Sequence, residues 1–153
     1  KRMYLKYEFK VGNEWKKLSG LSSGESFECV SEEEGDIPIE QPFDLNYTCK
    51  SIKGWPKLLV EAWEVDQHGR NRIAGYGVIN IPFHQGTYKL EAACWRPEAS
   101  YTDKIIGAYP ELEFRDILLA SQSRVGMPAD STGRIVVQAS VVITGFELHG
   151  VSL

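Results

Sequence analysis

From Met3 to Val11 every odd position carries an apolar side chain, and the positions between carry mostly charged ones. A backbone with this period of two sends alternate side chains to opposite faces, so the stretch reads as a half-buried strand; on a helix the same residues would scatter around the circumference. Gly12-Asn13 ends it with turn chemistry. Further strands are expected at Trp15 to Leu18, Ser26 to Val30, Phe43 to Cys49, Lys57 to Val65, Ile73 to Ile81, Gly86 to Ala92 and Gly133 to Thr144. Lys57 to Val65 is apolar enough to be central. Pro82 has no amide hydrogen and must interrupt the ladder between Ile73 to Ile81 and Gly86 to Ala92. Only Tyr101 to Tyr109 suggests a helix, a short one, with Ser100 or Thr102 as its cap.

Short strands at regular spacing with turn residues between them predict an antiparallel β-sandwich, not alternating βα units. The 153 residues fit one domain over 1-153, large enough to bury a core without staples. No apolar run is long enough to cross a bilayer as a helix. Cys29, Cys49 and Cys94 are odd in number and far apart, so they are read as reduced thiols, without disulfide or zinc spacing. Lys1 enters strand-like sequence almost at once, which leaves open that residues precede it.

A net charge of −4 argues against general affinity for nucleic acid. Its distribution is uneven. Lys1 to Lys17 holds six basic residues against Glu8 and Glu14, whereas Glu25 to Asp44 holds eight acidic residues and no Lys or Arg. Glu32 to Pro42 reads as an acidic surface loop. Such a run is ordinarily a solvated loop; the sharper alternative is a contact surface, for which Glu32, Glu33, Glu34 and Asp36 are the candidate partner-binding residues.

Leu58 to Pro82 runs strand, loop Asp66-Gln67-His68-Gly69, strand, and contains Gly75-Tyr76-Gly77; Gly54-Trp55-Pro56 precedes it. Together with Trp15-Lys16-Lys17-Leu18-Ser19-Gly20, Pro42-Phe43-Asp44-Leu45, Gly86-Thr87-Tyr88 and Trp95-Arg96-Pro97 in that order, the chain resembles the B9 branch of the C2-domain superfamily over nearly its whole length. The ending, Thr132-Gly133 with Phe146 to Val151, is similar to one of the family's three usual paralogues in particular. The resemblance implies a C2-like antiparallel β-sandwich with one short helix. It also implies a non-catalytic subunit of the Meckel syndrome complex, cytoplasmic, at the ciliary transition zone and basal body. There it would assemble with the other two B9 proteins in cilium assembly and in gating ciliary membrane composition. The resemblance implies a further strand before the segment matching Met3 to Val11, which this sequence does not contain; a neighbour strand left unpaired would expose backbone donors and acceptors, so residues preceding Lys1 or a strand donated by a partner are expected to supply it.

The chemistry points away from catalysis. Calcium needs several converging carboxylates. Glu64 and Asp66 resemble two ligand positions, but Arg72 follows where another acid would stand, so Asp66 is read as a turn residue and no metal or cofactor is expected. His68, His84 and His149 are scattered and are read as loop residues; no nucleophile elbow or phosphate loop appears. Trp63 is assigned to the core, and Trp55 and Trp95 to packing that pins loops. Gly75 and Gly77 are expected to allow a bulge or close backbone approach. The alternative function is calcium-independent contact with anionic lipid through Lys50, Lys53 and Lys57, or through Lys1, Arg2 and Lys6. Each basic residue adds only about 1 kcal/mol there, so attachment by such a scattered set would be weak.

Overall fold

The computed structural model describes residues 1–31, 34–97 and 129–146. The described residues form nine strands and no helix: β1 (Arg2–Lys10), β2 (Trp15–Ser19), β3 (Ser23–Glu25), β4 (Cys29–Val30), β5 (Asn46–Cys49), β6 (Lys57–Val65), β7 (Asn71–Asn80), β8 (Gly86–Pro97) and β9 (Ala129–Val141). The expected helix at Tyr101 to Tyr109 lies outside the described residues. The seven-stranded sheet runs β3-β1-β6-β7-β8-β9, with β4 also on β1, and β2 and β5 form a second sheet. Every ladder is antiparallel.

The alternation read in β1 sorts its side chains as expected. Met3, Leu5, Tyr7 and Phe9 pack on the main core with Leu58, Val60 and Ala62 of β6. β6 lies between β1 and β7 and is buried over most of its length, which is why its sequence is a continuous apolar run. Its odd residues face the other way: Leu59 joins Ile73, Tyr76 and Trp95 in a second cluster. Trp63 belongs to that opposite face. It is half-buried, packed against this second core cluster and stacked on Tyr4 at 6.2 Å, so its place in the core is on the opposite face from Leu58 and Val60. The same face holds a buried carboxylate: Glu61 stands opposite Lys6 and accepts the Trp63 indole N–H at 3.1 Å.

Two layers arise because β8 meets β7 only near its far end. Those strands share the single register pair Tyr76↔Trp95, whereas β8 runs beside β9 from Gly86 to Pro97. The β8–β9 ribbon therefore folds across the face of β7 and contributes Ala92, Cys94 and Ile135 to the main core. Both readings of the glycine pair hold. The ladder slips between Ala62 and Trp63, leaving Ala74 as the extra residue of a bulge. A Cβ on Gly77 would lie 3.3 Å from Cys94 Sγ and 3.5 Å from Ala92 Cβ, so the bare backbone lets the ribbon sit close. Burial inside this contact pushes the Cys94 thiol up to about 11. Trp95 is a buried strand residue of the second cluster and not a loop anchor, as its neighbouring proline had suggested.

The strand expected at Ser26 to Val30 begins earlier and is broken by Phe27. Residues 22–31 nevertheless run antiparallel along β1, through Phe9 N–H to Ser22 C=O at 2.7 Å and Ser26 N–H to Leu5 C=O at 2.9 Å. With β6 on its other side, β1 has partners on both edges.

β5 is shorter than the expected Phe43 to Cys49. Residues 36–45 ahead of it keep a strand's alternating burial, with Ile37, Ile39, Gln41, Phe43 and Leu45 half-buried and Asp36, Pro38, Glu40, Pro42 and Asp44 exposed. They join no ladder among the described residues. Pro38 and Pro42 lack amide hydrogens, and Gln41 N–H turns back to Ile39 C=O at 3.2 Å.

Candidate functional site

Of the acidic candidates, Asp36 opens this extended segment and Glu34 precedes it. Glu34 and Asp36 are exposed; Glu32 and Glu33 lie outside the described residues. The segment is anchored from beneath: Phe43 packs on Phe9 at 5.2 Å and on Tyr7 at 6.5 Å. Its apolar residues turn inward and its carboxylates line the surface, so the loop expected to be simply solvated is a two-sided strip.

Beside the strip is a groove of about 610 Å³. Ile39, Pro42 and Phe43 form one wall, Ile135, Val136 and Val137 of β9 the other, and Leu5, Tyr7, Leu58 and Val60 the floor. Val136 remains 43 % exposed. Sequence reasoning missed this groove. Its signal was the Ile37, Ile39, Phe43, Leu45 alternation, masked by two prolines and the surrounding acids. A second apolar exposure lies at the opposite edge, where Leu21, Phe27 and Val30 project from the segment beside β1, Phe27 at 91 % exposed.

Lys50, Lys53 and Lys57 fall by the Lys10 end of β1, whereas Ser31, ahead of Glu34 and Asp36, meets Lys1 at its other end. Lys57 opens β6 opposite Lys10. Lys50 and Lys53 are exposed on a loop held rigidly: its backbone meets the 12–15 turn through Gly12 N–H to Gly54 C=O at 2.9 Å and Trp15 indole N–H to Lys53 C=O at 2.8 Å. Trp55 pins this loop as expected, with Trp15 and Phe83 each 5.2 Å away and Phe146 at 6.1 Å. Of the alternative basic set, Arg2 pairs with Glu28 at 3.6 Å and Lys6 lies over the Trp63 ring at 4.8 Å.

At the loop where a C2 domain would hold calcium, Asp66 is a turn residue. One oxygen accepts His68 N–H at 2.8 Å and Arg70 N–H at 2.9 Å, and the other accepts Arg70 Nε–H at 2.8 Å. Gly69, with φ of 75°, makes the left-handed step that closes the turn. Glu64 faces Arg72 directly across the ladder. Among the described residues no three His, Cys, Asp or Glu side chains gather as a metal site. His68 and His84 are exposed, and His149 lies outside the described residues.

The Asp66 bonds, led by the Arg70 amide, lower its carboxyl from the ordinary 3.8 to about 2. A depressed carboxylate stabilises the fold above its unfolded value and ceases to as pH falls through the folded one. The turn is expected to keep this contribution above pH 3.8 and lose it toward pH 2. An NMR titration of the Asp66 carboxyl carbon checks this; a midpoint at the ordinary value would mean the turn does not hold those bonds in solution.

A family model described as ciliary basal body-associated B9 protein matches residues 1–142. The chain belongs to the B9 family. The B9 domain-containing protein 2 of Danio rerio is 30 % identical over 97 % of the chain and 87 % of its own length, and that of Homo sapiens is 28 % identical over the same shares. The B9 domain-containing protein 1 of Xenopus laevis is 26 % identical over 92 % of the chain and 74 % of its own length. The paralogue that the ending resembles is thus B9 domain-containing protein 2. No solved structure matches. Membership links this B9 chain to the cilium and its basal body, and no helix among the described residues is long and apolar enough to cross a membrane.

Proposed function

We propose that this B9 chain is a non-catalytic binding subunit of the Meckel syndrome complex at the ciliary transition zone. It assembles with the other two B9 proteins and serves cilium assembly and the gating of ciliary membrane composition. The carrying observation is the two-sided strip at residues 36–45, whose acidic outer face borders an open apolar groove. Charge at a rim steers and orients association, while affinity comes from the apolar centre. Two partners require two surfaces, and the Leu21, Phe27 and Val30 edge is the second.

The test is co-expression with the other two B9 proteins and mass measurement by light scattering. A complex containing all three is the expected product. Reversing Glu32, Glu33, Glu34 and Asp36 to Lys is expected to weaken it about tenfold or more, equivalent to about 1.4 kcal/mol, with reduced salt dependence. Failure of the unaltered chains to associate would sink the reading.

One observation favours a second reading, contact with anionic lipid: Ile52 and Phe83 are 45 % and 54 % exposed, and Ile52 lies between Lys50 and Lys53. Sedimentation with phosphatidylserine vesicles separates the two. Strong binding by the isolated chain favours lipid recognition, and binding only in the presence of the partners favours assembly.

A further inference from the structure

We infer that the outward face of residues 36–50, with the adjoining β2, is self-complementary in charge and pairs two copies of this chain about a two-fold axis.

The alternation of residues 36–45 does not stop where β5 begins. It runs on in phase to Lys50: every even position from Asp36 to Lys50 is exposed, and every odd position from Ile37 to Cys49 is half-buried. A period of two sends the even side chains to one side of the backbone. The strip, kinked once where Gln41 N–H turns back to Ile39 C=O, and the hydrogen-bonded strand that follows it therefore share one outward row.

That row is sorted by charge. Its first half carries Asp36, Glu40 and Asp44, its middle Asn46 and Thr48, and its end Lys50. β2 adds to the basic end, where exposed Lys16 stands directly across the ladder from Thr48. Elsewhere charges of opposite sign meet within the chain, Glu8 with Lys10, Asp66 with Arg70 and Glu91 with Arg134. Asp36, Glu40, Asp44, Lys16 and Lys50 make no ion pair among the described residues. Charges left unpaired and sorted in this way gain only when a surface sorted in the reverse order is laid against them.

A second copy is such a surface. A two-fold contact applies one patch to itself, residue i to residue j and j to i. A row of one sign would repel its own copy, whereas a row running from acid to base meets a copy running from base to acid. With the axis near Leu45, position 40 of each copy faces position 50 of the other, so Glu40 meets Lys50 twice. Leu18, 63 % exposed between the Lys17 and Ser19 rungs beside Tyr47 and Asn46, supplies apolar surface close to the axis. Other occupants fit one half only: a uniformly basic partner is repelled by Lys16 and Lys50, and an anionic bilayer laid on this face by Asp36, Glu40 and Asp44. Exposed ion pairs contribute little singly and are screened by salt, so the dimer is weak and reversible.

The inference rests on the proposed assembly only in sharing the acidic residues, for which a second copy and another B9 protein compete. The chain alone tests it, by sedimentation at about 0.01 M and about 1 M salt, where charge acts over roughly 30 Å and roughly 3 Å. A dimer in the first and a monomer in the second is the expected result. Glu40→Lys and Lys50→Glu, both exposed changes, are each expected to weaken self-association about tenfold or more, because each sets like charges opposite one another twice. Mixed one to one, the two variants are expected to pair again, since every position 40 then faces opposite charge at position 50 of the other variant. Damage to the fold would not be repaired by mixing. A monomer at both salts, a dimer indifferent to salt, or single variants that mixing does not restore overturns the inference and leaves the assembly standing. A chain that pairs with itself in this way but forms no complex with the other B9 proteins does the reverse.

Discussion

Gly54→Ala is expected to unfasten the aromatic end of the molecule and to lower its melting temperature by roughly 5–15 °C. Gly54 has a φ of 74°, where an alanine is strained by about 1 kcal/mol. The larger effect comes from its neighbour. A Cβ at Gly54 would lie 2.3 Å from the Gly12 Cα and 2.6 Å from the Gly12 nitrogen. Both are backbone atoms, so no side chain can rotate away and the two loops must separate. Separation breaks the Gly12 to Gly54 hydrogen bond, worth about 1 kcal/mol, and shifts the Lys53 carbonyl that holds the Trp15 indole. The sum is on the order of 2–4 kcal/mol. Gly69→Ala is the control: its φ is 75°, but nothing lies within 4 Å of the added carbon. If thermal denaturation finds the two variants equally destabilised, the close approach of the loops does not exist in solution.

Leu58→Ala is expected to cost about 2–5 kcal/mol in denaturant unfolding. Leu58 is 2 % exposed and sits in register between Phe9 and Ile79 on the central strand. Its neighbours are fixed by ladders on both sides, so they cannot close over the lost methyl groups. Domains of this kind are held by only about 5–15 kcal/mol, so the change removes a large fraction of the total. Leu58→Met, which conserves volume, is expected to cost less than about 1.5 kcal/mol. A loss under about 1 kcal/mol for the alanine variant would show that the floor beneath the groove is not packed as described.

The strands were legible wherever one pattern acted alone. β1 announced itself by alternation, and β6 by an apolar run bounded by Pro56 and the Asp66 turn. Asp66 was readable as a turn residue because a short acid followed by Gly69 is turn chemistry whatever the surroundings. The face that Trp63 takes in the core was not readable, because an apolar run on a strand buried on both faces does not say which face a residue takes; the phase is set by Leu58 and Val60 meeting Phe9 and Ile135. The interruption at Phe27 was hidden because nothing local marks it. For the candidate contact surface, charge was visible and shape was not. Glu34 and Asp36 stood out in an acidic run, but the groove depends on β9, nearly a hundred residues downstream, arriving opposite Ile39 and Phe43. No local pattern encodes such a meeting.

The lone Tyr76↔Trp95 rung between β7 and β8 has a mechanical consequence. Beyond that rung the ribbon meets the first layer through packed apolar surfaces, with Ile135 and Cys94 riding on Gly77. Such a joint resists being pulled apart, because that would wet the core. A neighbour gripping the ribbon's outer border would therefore tug on the interior as a whole, and strain imposed at one rim would be felt at the far loops.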